Sequence, residues 1–274
     1  LARWAVLAAL LAIGLAAGPM RAEAARAWER LPDGRVVIEI YGRRFAFPTD
    51  MPAGQVVFVH GQRPHRTRPG GFEPRQATLQ EVIADRAAAE AWWAPPNPTM
   101  PVGITITSRL VEPLLYEGPA PVDRNGMRPY PVFWIWVYQD PGRTYCASRE
   151  WPGDHRICSY FIDRARDEAV ISPEGFIVEQ PAMLRGTGKT YFVFPEREGR
   201  AAPGDPAHIA CVDLGSYLCE NGSAGSWGYF IRPGIFLRYQ YSMSKTNRQD
   251  MRRIDDAFRR FFRGVFLGPD GTGD

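Results

Sequence analysis

The sequence predicts an α+β fold, with an antiparallel sheet or sheets carrying two principal amphipathic helices, the second at the C-terminus. Three observations predict it. Short runs of aromatic and β-branched residues recur along the chain, punctuated by many of its 27 glycines and 25 prolines, which is an alternation of strands and turns. The four cysteines stand in two pairs, each centred on a turn residue. Sustained helical spacing of apolar residues, by contrast, marks two segments, 79–93 and 251–265.

The chain opens with the pattern of an export leader. Arg3 supplies a positive n-region, residues 5–17 form an apolar run, and Ala22-Glu23-Ala24 gives a small-x-small cleavage pattern. This predicts a cleaved signal peptide over 1–24 and a mature chain starting near Ala25. The apolar run is about two-thirds of the ~20 residues that span a bilayer, so no stable membrane span is expected after cleavage. No cysteine lies beside it to take a lipid anchor. The expected location is the periplasm or the medium.

Along the mature chain, residues 35–40 alternate in polarity and lead through Gly42 to Arg44-Phe45-Ala46-Phe47-Pro48, a hairpin signature. A further strand follows at 54–60. Residues 62–75 hold Arg63, Arg66, Arg68 and Arg75 among prolines and glycines with no apolar period, which reads as an exposed basic loop and a candidate binding surface. Thr78 with Glu81 forms a capping box, and Leu79, Val82 and Ile83 set one apolar face of a helix that runs to Trp92 or Trp93 and stops at Pro95-Pro96. Strands are expected at 102–110 and 132–138. The second contains Phe133-Trp134-Ile135-Trp136-Val137, apolar on both faces and therefore central and buried, with its tryptophans read as core.

Cys146 and Cys158 lie equally far from Pro152, and Cys211 and Cys219 equally far from Gly215. In antiparallel hairpins with turns at those points the members of each pair face each other, which predicts disulfides 146–158 and 211–219 in an exported chain. The first hairpin would pair strands at 144–147 and 156–161. Beyond it, strands are expected at 175–179, 191–194, 208–214, 227–231 and 235–242. Met251, Ile254, Phe258, Phe261 and Val265 then trace the apolar stripe of the last helix, with Asp255 and Arg259, and Asp256 and Arg260, at i,i+4 spacing. Gly268-Pro269 ends it. The chain divides on this reading into halves 25–170 and 171–266 and a flexible tail 267–274. Phe45-Ala46-Phe47-Pro48 recurs as Phe192-Val193-Phe194-Pro195, which raises an internal duplication of the α+β unit.

Chemical motifs are incomplete. Gly186-Thr187-Gly188-Lys189-Thr190 resembles a phosphate loop but has Met183 where that loop needs glycine, so it reads as a turn. Ser242-Met243-Ser244-Lys245 matches Ser-x-x-Lys, yet it follows a strand instead of opening a helix. His60, His65 and His208 fit no metal spacing; neither a metal nor another cofactor is expected. A formal charge of +3 implies no nucleic-acid partner. The leading expectation is a non-catalytic, disulfide-bonded envelope protein that binds another envelope or secreted protein, as an inhibitor or immunity factor does. The alternatives are a hydrolase of cell wall or glycans, with Asp154, His155, Asp163 and Asp167 as its candidate catalytic residues, and a structural component of an envelope assembly.

Overall fold

A computed structural model describes residues 27–60, 75–94, 101–116, 131–146, 155–167, 171–181, 184, 186, 188–214, 216–223, 226–243 and 249–268. The leader pattern therefore lies outside the described residues.

The strand and turn signals condense into two antiparallel sheets. The smaller joins β1 (Glu29–Arg30), β2 (Val36–Ile40) and β3 (Arg43–Phe47) in that order. Its β2–β3 turn sits on Tyr41 and Gly42, both with positive φ at 50° and 74°. Two such residues twist a two-residue hairpin in the same sense as its strands. The larger sheet has the order β5 (Arg75–Thr78), β4 (Val56–His60), β6 (Val102–Ile106), β7 (Val132–Val137), β14 (Ile235–Met243), β11 (Tyr217–Ser223), β10 (His208–Asp213), β9 (Lys189–Val193) and β8 (Ile177–Glu179). Short strands β12 (Ser226–Trp227) and β13 (Tyr229–Arg232) add to β11 and β14. β7 lies between β6 and β14, the central position its apolar run predicts, and its pairing with β14 joins strands of both halves of the chain in one sheet. The two Phe-x-Phe-Pro segments occupy different places: Phe45 and Phe47 belong to the small sheet, Phe192 to β9 of the large one.

One face of the large sheet, the inner face, is covered by the small sheet and by helices. The capping box starts α1 (Leu79–Ala84): Glu81 N–H donates to Thr78 Oγ1 at 3.3 Å and Thr78 N–H to the Glu81 carboxylate at 2.7 Å. The expected single helix is in fact two, because the Asp85 side chain accepts from Ala88 N–H at 2.9 Å and so caps α2 (Arg86–Trp93) in its own right. The last helix, α5 (Asp250–Val265), buries Met251, Ile254, Phe258, Phe262 and Val265. Phe258 stacks on Phe133 at 5.1 Å and on Tyr239 at 4.1 Å. Burying a side chain of this size contributes about 1.5–3 kcal/mol, so the aromatic stripe is a major part of what holds the helix on the sheet. Past α5, Leu267 N–H donates to the Arg44 carbonyl at 3.0 Å, tying the chain to β3 as far as the described residues run.

Two expected strands are corrected. The run 102–110 leaves the sheet at Ile106, and Ser108–Leu115 forms a helix, α3, whose buried Leu115 turns into the inner core. The second correction concerns the hairpin expected around Pro152: His155–Arg166 is a helix, α4. Its buried residues Cys158, Phe161 and Ala165 follow a 3-4 spacing that becomes visible when the pattern is followed past 161. They pack on Ile177, Tyr191, Val193 and Ala210 on the outer face of the sheet. The disulfide Cys146–Cys158 exists, with Cα atoms 5.8 Å apart, but it ties a loop to a helix instead of bridging two strands. Cys211–Cys219 does bridge a hairpin, from directly opposed positions of β10 and β11.

Candidate functional site

Of the candidate catalytic and binding residues singled out in the sequence, only Asp163 and Asp167 have described side chains, four residues apart at the end of α4. Asp163 is exposed on α4, and Asp167, one residue past its end, lies 3.4 Å from Arg164. Asp154 and the side chain of His155 lie outside the described residues, as do Arg63, Arg66 and Arg68. Arg75 opens β5 opposite His60, its side chain likewise outside. Among the described residues no group of three or more His, Cys, Asp or Glu is placed to hold a metal ion, and no helix is long and apolar enough to cross a membrane.

Burial instead gathers ionisable groups at two levels of the sheet. On the inner face Asp255 of α5 is fully buried, although its i,i+4 spacing to Arg259 predicts an exposed pair. It accepts from Tyr239 Oη, from Tyr229 Oη at 3.2 Å and from Arg200 Nη1. Arg200 also bonds Asp256 at 2.8 Å and Glu198 at 2.6 Å, and Glu198 in turn takes both Nη atoms of Arg252, at 2.7 and 2.6 Å. Arg259 donates to Tyr229 Oη at 3.1 Å and to the Arg200 carbonyl. Burial first, and the Asp255 charge second, push the Tyr229 and Tyr239 phenols well above their usual range, so both remain hydrogen-bond donors. Burial works against the Arg200 guanidinium, but Asp255 and its neighbouring carboxylates hold it firmly charged. Every member of this network has a partner, and the network pins α5 to β13, β14 and the 196–200 turn.

The outer face is different. Period-two alternation on β14 turns Leu237, Tyr239 and Tyr241 inward and Phe236, Arg238 and Gln240 outward. Arg238 stands directly opposite Trp134 of β7, and its Cζ lies 4.7 Å from the ring centroids of both Trp134 and Trp227. Trp227, on β12, is 52% exposed, the most exposed large hydrophobic side chain among the described residues. Lys189 Nζ lies 5.5 Å from the same Trp227 ring and bonds Glu220 on β11. Five strands thus present a row of Trp134, Arg238, Trp227, Lys189 and Glu220. At one end Trp136 lies flat over Gly103, where a Cβ would come within 2.6 Å of the indole. At the other, α4 covers His208. That imidazole is fully buried against Phe161 at 4.9 Å with neither nitrogen hydrogen-bonded, and burial, helped by the Lys189 charge, lowers its pKa to about 3. Nearby, burial pushes the Asp205 carboxyl up to about 6, against the N–H bonds it accepts from Cys146 at 2.9 Å and Tyr145 at 2.8 Å.

Arg238 has no hydrogen bond or ion pair among the described residues, and its Nε is closed off from solvent. Burial lowers its pKa, with the Glu220 charge pulling the other way. Arg238 thus lies within cation–π distance of two indoles, and Lys189 approaches one of them from the other side of the row. The sequence reading assigns Trp134 to the core and does not single out Trp227 or Arg238. The local signal for them is an arginine in an otherwise alternating apolar strand, and its aromatic neighbours come from strands about a hundred residues apart. Comparison of the chain with family models, with characterised proteins and with solved structures finds no match.

Proposed function

We propose that this is a non-catalytic binding protein of an oxidising compartment outside the cytoplasm, which docks another protein on the outer face of its large sheet, as an inhibitor or immunity factor does. The observation that carries the reading is Trp227, half exposed and lying against the Arg238 guanidinium. Tryptophan and arginine are the residues most enriched at the energetic centres of protein interfaces, where a large rigid ring and a planar cation are desolvated together. Apart from Arg238, strongly shifted groups such as the His208 imidazole and the Tyr229, Tyr239 and Tyr241 phenols are fully buried in packing or against the Asp255 network. Two disulfides support an oxidising location, since such bonds persist where thiols are not kept reduced.

The test immobilises the disulfide-bonded protein beside its Trp227→Ala variant and exposes both to envelope and secreted fractions of the source organism. A stoichiometric protein held by the first and lost by the second is the expected result. Equal retention by both, or retention of glycan in place of protein, would reject the reading.

A further inference from the structure

We infer that Arg238 receives a carboxylate of the partner, so that the segment docking on the outer face carries an aspartate or glutamate where it meets Trp134 and Trp227. This rests on the outer face being the docking surface. An arginine cannot shed its proton at any physiological pH, so a guanidinium drawn out of water keeps its charge and requires acceptors. Four other half-buried arginines show how this chain meets that requirement. Arg200 has three carboxylates, and Arg252 has Glu198 together with the carbonyls of Glu174 and Gly175. Arg259 has a phenol oxygen and a carbonyl, and Arg43 bonds the carbonyl of Tyr138 at 2.7 Å.

Arg238 departs from this pattern. It touches two indoles, which supply attraction to the cation but no lone pair for its N–H donors. The carboxylate whose field reaches it, Glu220, is bonded to Lys189. The guanidinium therefore presents donors with aromatic walls beside them, a fork that a carboxylate matches in plane with two parallel hydrogen bonds. An acidic side chain flanked by apolar residues fills both parts of the site, the carboxylate on Arg238 and the apolar flank on the exposed ring of Trp227.

The experiment selects peptides from a displayed random library on the intact, disulfide-bonded protein, with counter-selection against Trp227→Ala. The expected peptides share an acidic residue at one position, and changing it to its amide weakens binding about tenfold or more. Arg238→Gln should weaken the acidic peptide by the same factor and leave the amide peptide unchanged, while Arg238→Lys recovers part of the loss. Selected peptides with no shared acidic position, or an Arg238→Gln variant that weakens acid and amide peptides alike, would overturn the carboxylate assignment while leaving the docking surface intact. A library that yields nothing able to tell the protein from its Trp227→Ala variant would remove the docking surface and the inference with it. Because the acid-to-amide change is made in the peptide, the result does not depend on how well an arginine variant folds.

Discussion

The two faces of the large sheet hold their arginines in different ways. Under α5, Asp255, Arg200, Glu198 and Arg252 are joined in a chain in which each buried charge has an oppositely charged neighbour and further hydrogen bonds. On the outer face Arg238 lies between two tryptophans and has no such neighbour in contact among the described residues. The same residue type is therefore a structural tie in one place and an open valence in the other. Pairing inside the fold, and not burial as such, separates a charge that ties the molecule together from the one to which we assign a partner's carboxylate.

That contrast can be broken at either face. The largest effect is expected from Asp255→Ala, which takes one of its three carboxylates from Arg200 and the acceptor from two buried phenols; a loss of about 3–5 kcal/mol in urea unfolding is expected. A loss under ~1 kcal/mol would show that the inner network is no tie at all. Next is the covalent anchor of the outer face: replacing Cys146 and Cys158 together by serine frees α4 from its loop and should cost about 2–4 kcal/mol by the same measurement.

A smaller, pH-dependent effect belongs to His208. Its pKa in the fold, about 3, lies below the ordinary 6.5, so the unfolded chain binds its proton first. Stability from this residue is complete above pH 6.5 and is lost as pH falls toward 3. Asp205 acts in the reverse sense, since its raised carboxyl favours the fold at low pH and that contribution is lost as pH rises through about 6. His208→Phe should therefore lose less stability than the parent between pH 6.5 and 3, and an unchanged slope would mean that water reaches the imidazole. The smallest effect on stability is expected at Trp227→Ala, within about 0.5 kcal/mol, since a half-exposed ring adds little to the core. A much larger loss would mark Trp227 as part of the fold and close the outer face as a binding surface.

Much of the frame was legible in the sequence. The capping box at Thr78 and Glu81, the stripe of α5, the Gly42 hairpin and the symmetry of Cys211 and Cys219 about Gly215 each depend on residues within a few turns of one another. There, periodicity and turn chemistry act with little interference. The 146–158 pairing was legible too, but for a geometric reason that does not hold: residues 156–161 alone carry the strand-like pattern, and the third helical contact, Ala165, lies beyond them.

Local residue patterns thus carry the α+β class, most strands and turns, the last helix and which cysteines join. Long-range packing sets the rest: β7 pairs with β14, Asp255 faces inward beneath Tyr239, and Trp134, Trp227 and Arg238 meet on the outer face. Strand order and helix docking are set by how all the apolar surfaces bury together. The neighbours of a charge are chosen by that packing, and no spacing along the chain records which distant strand will arrive beside it.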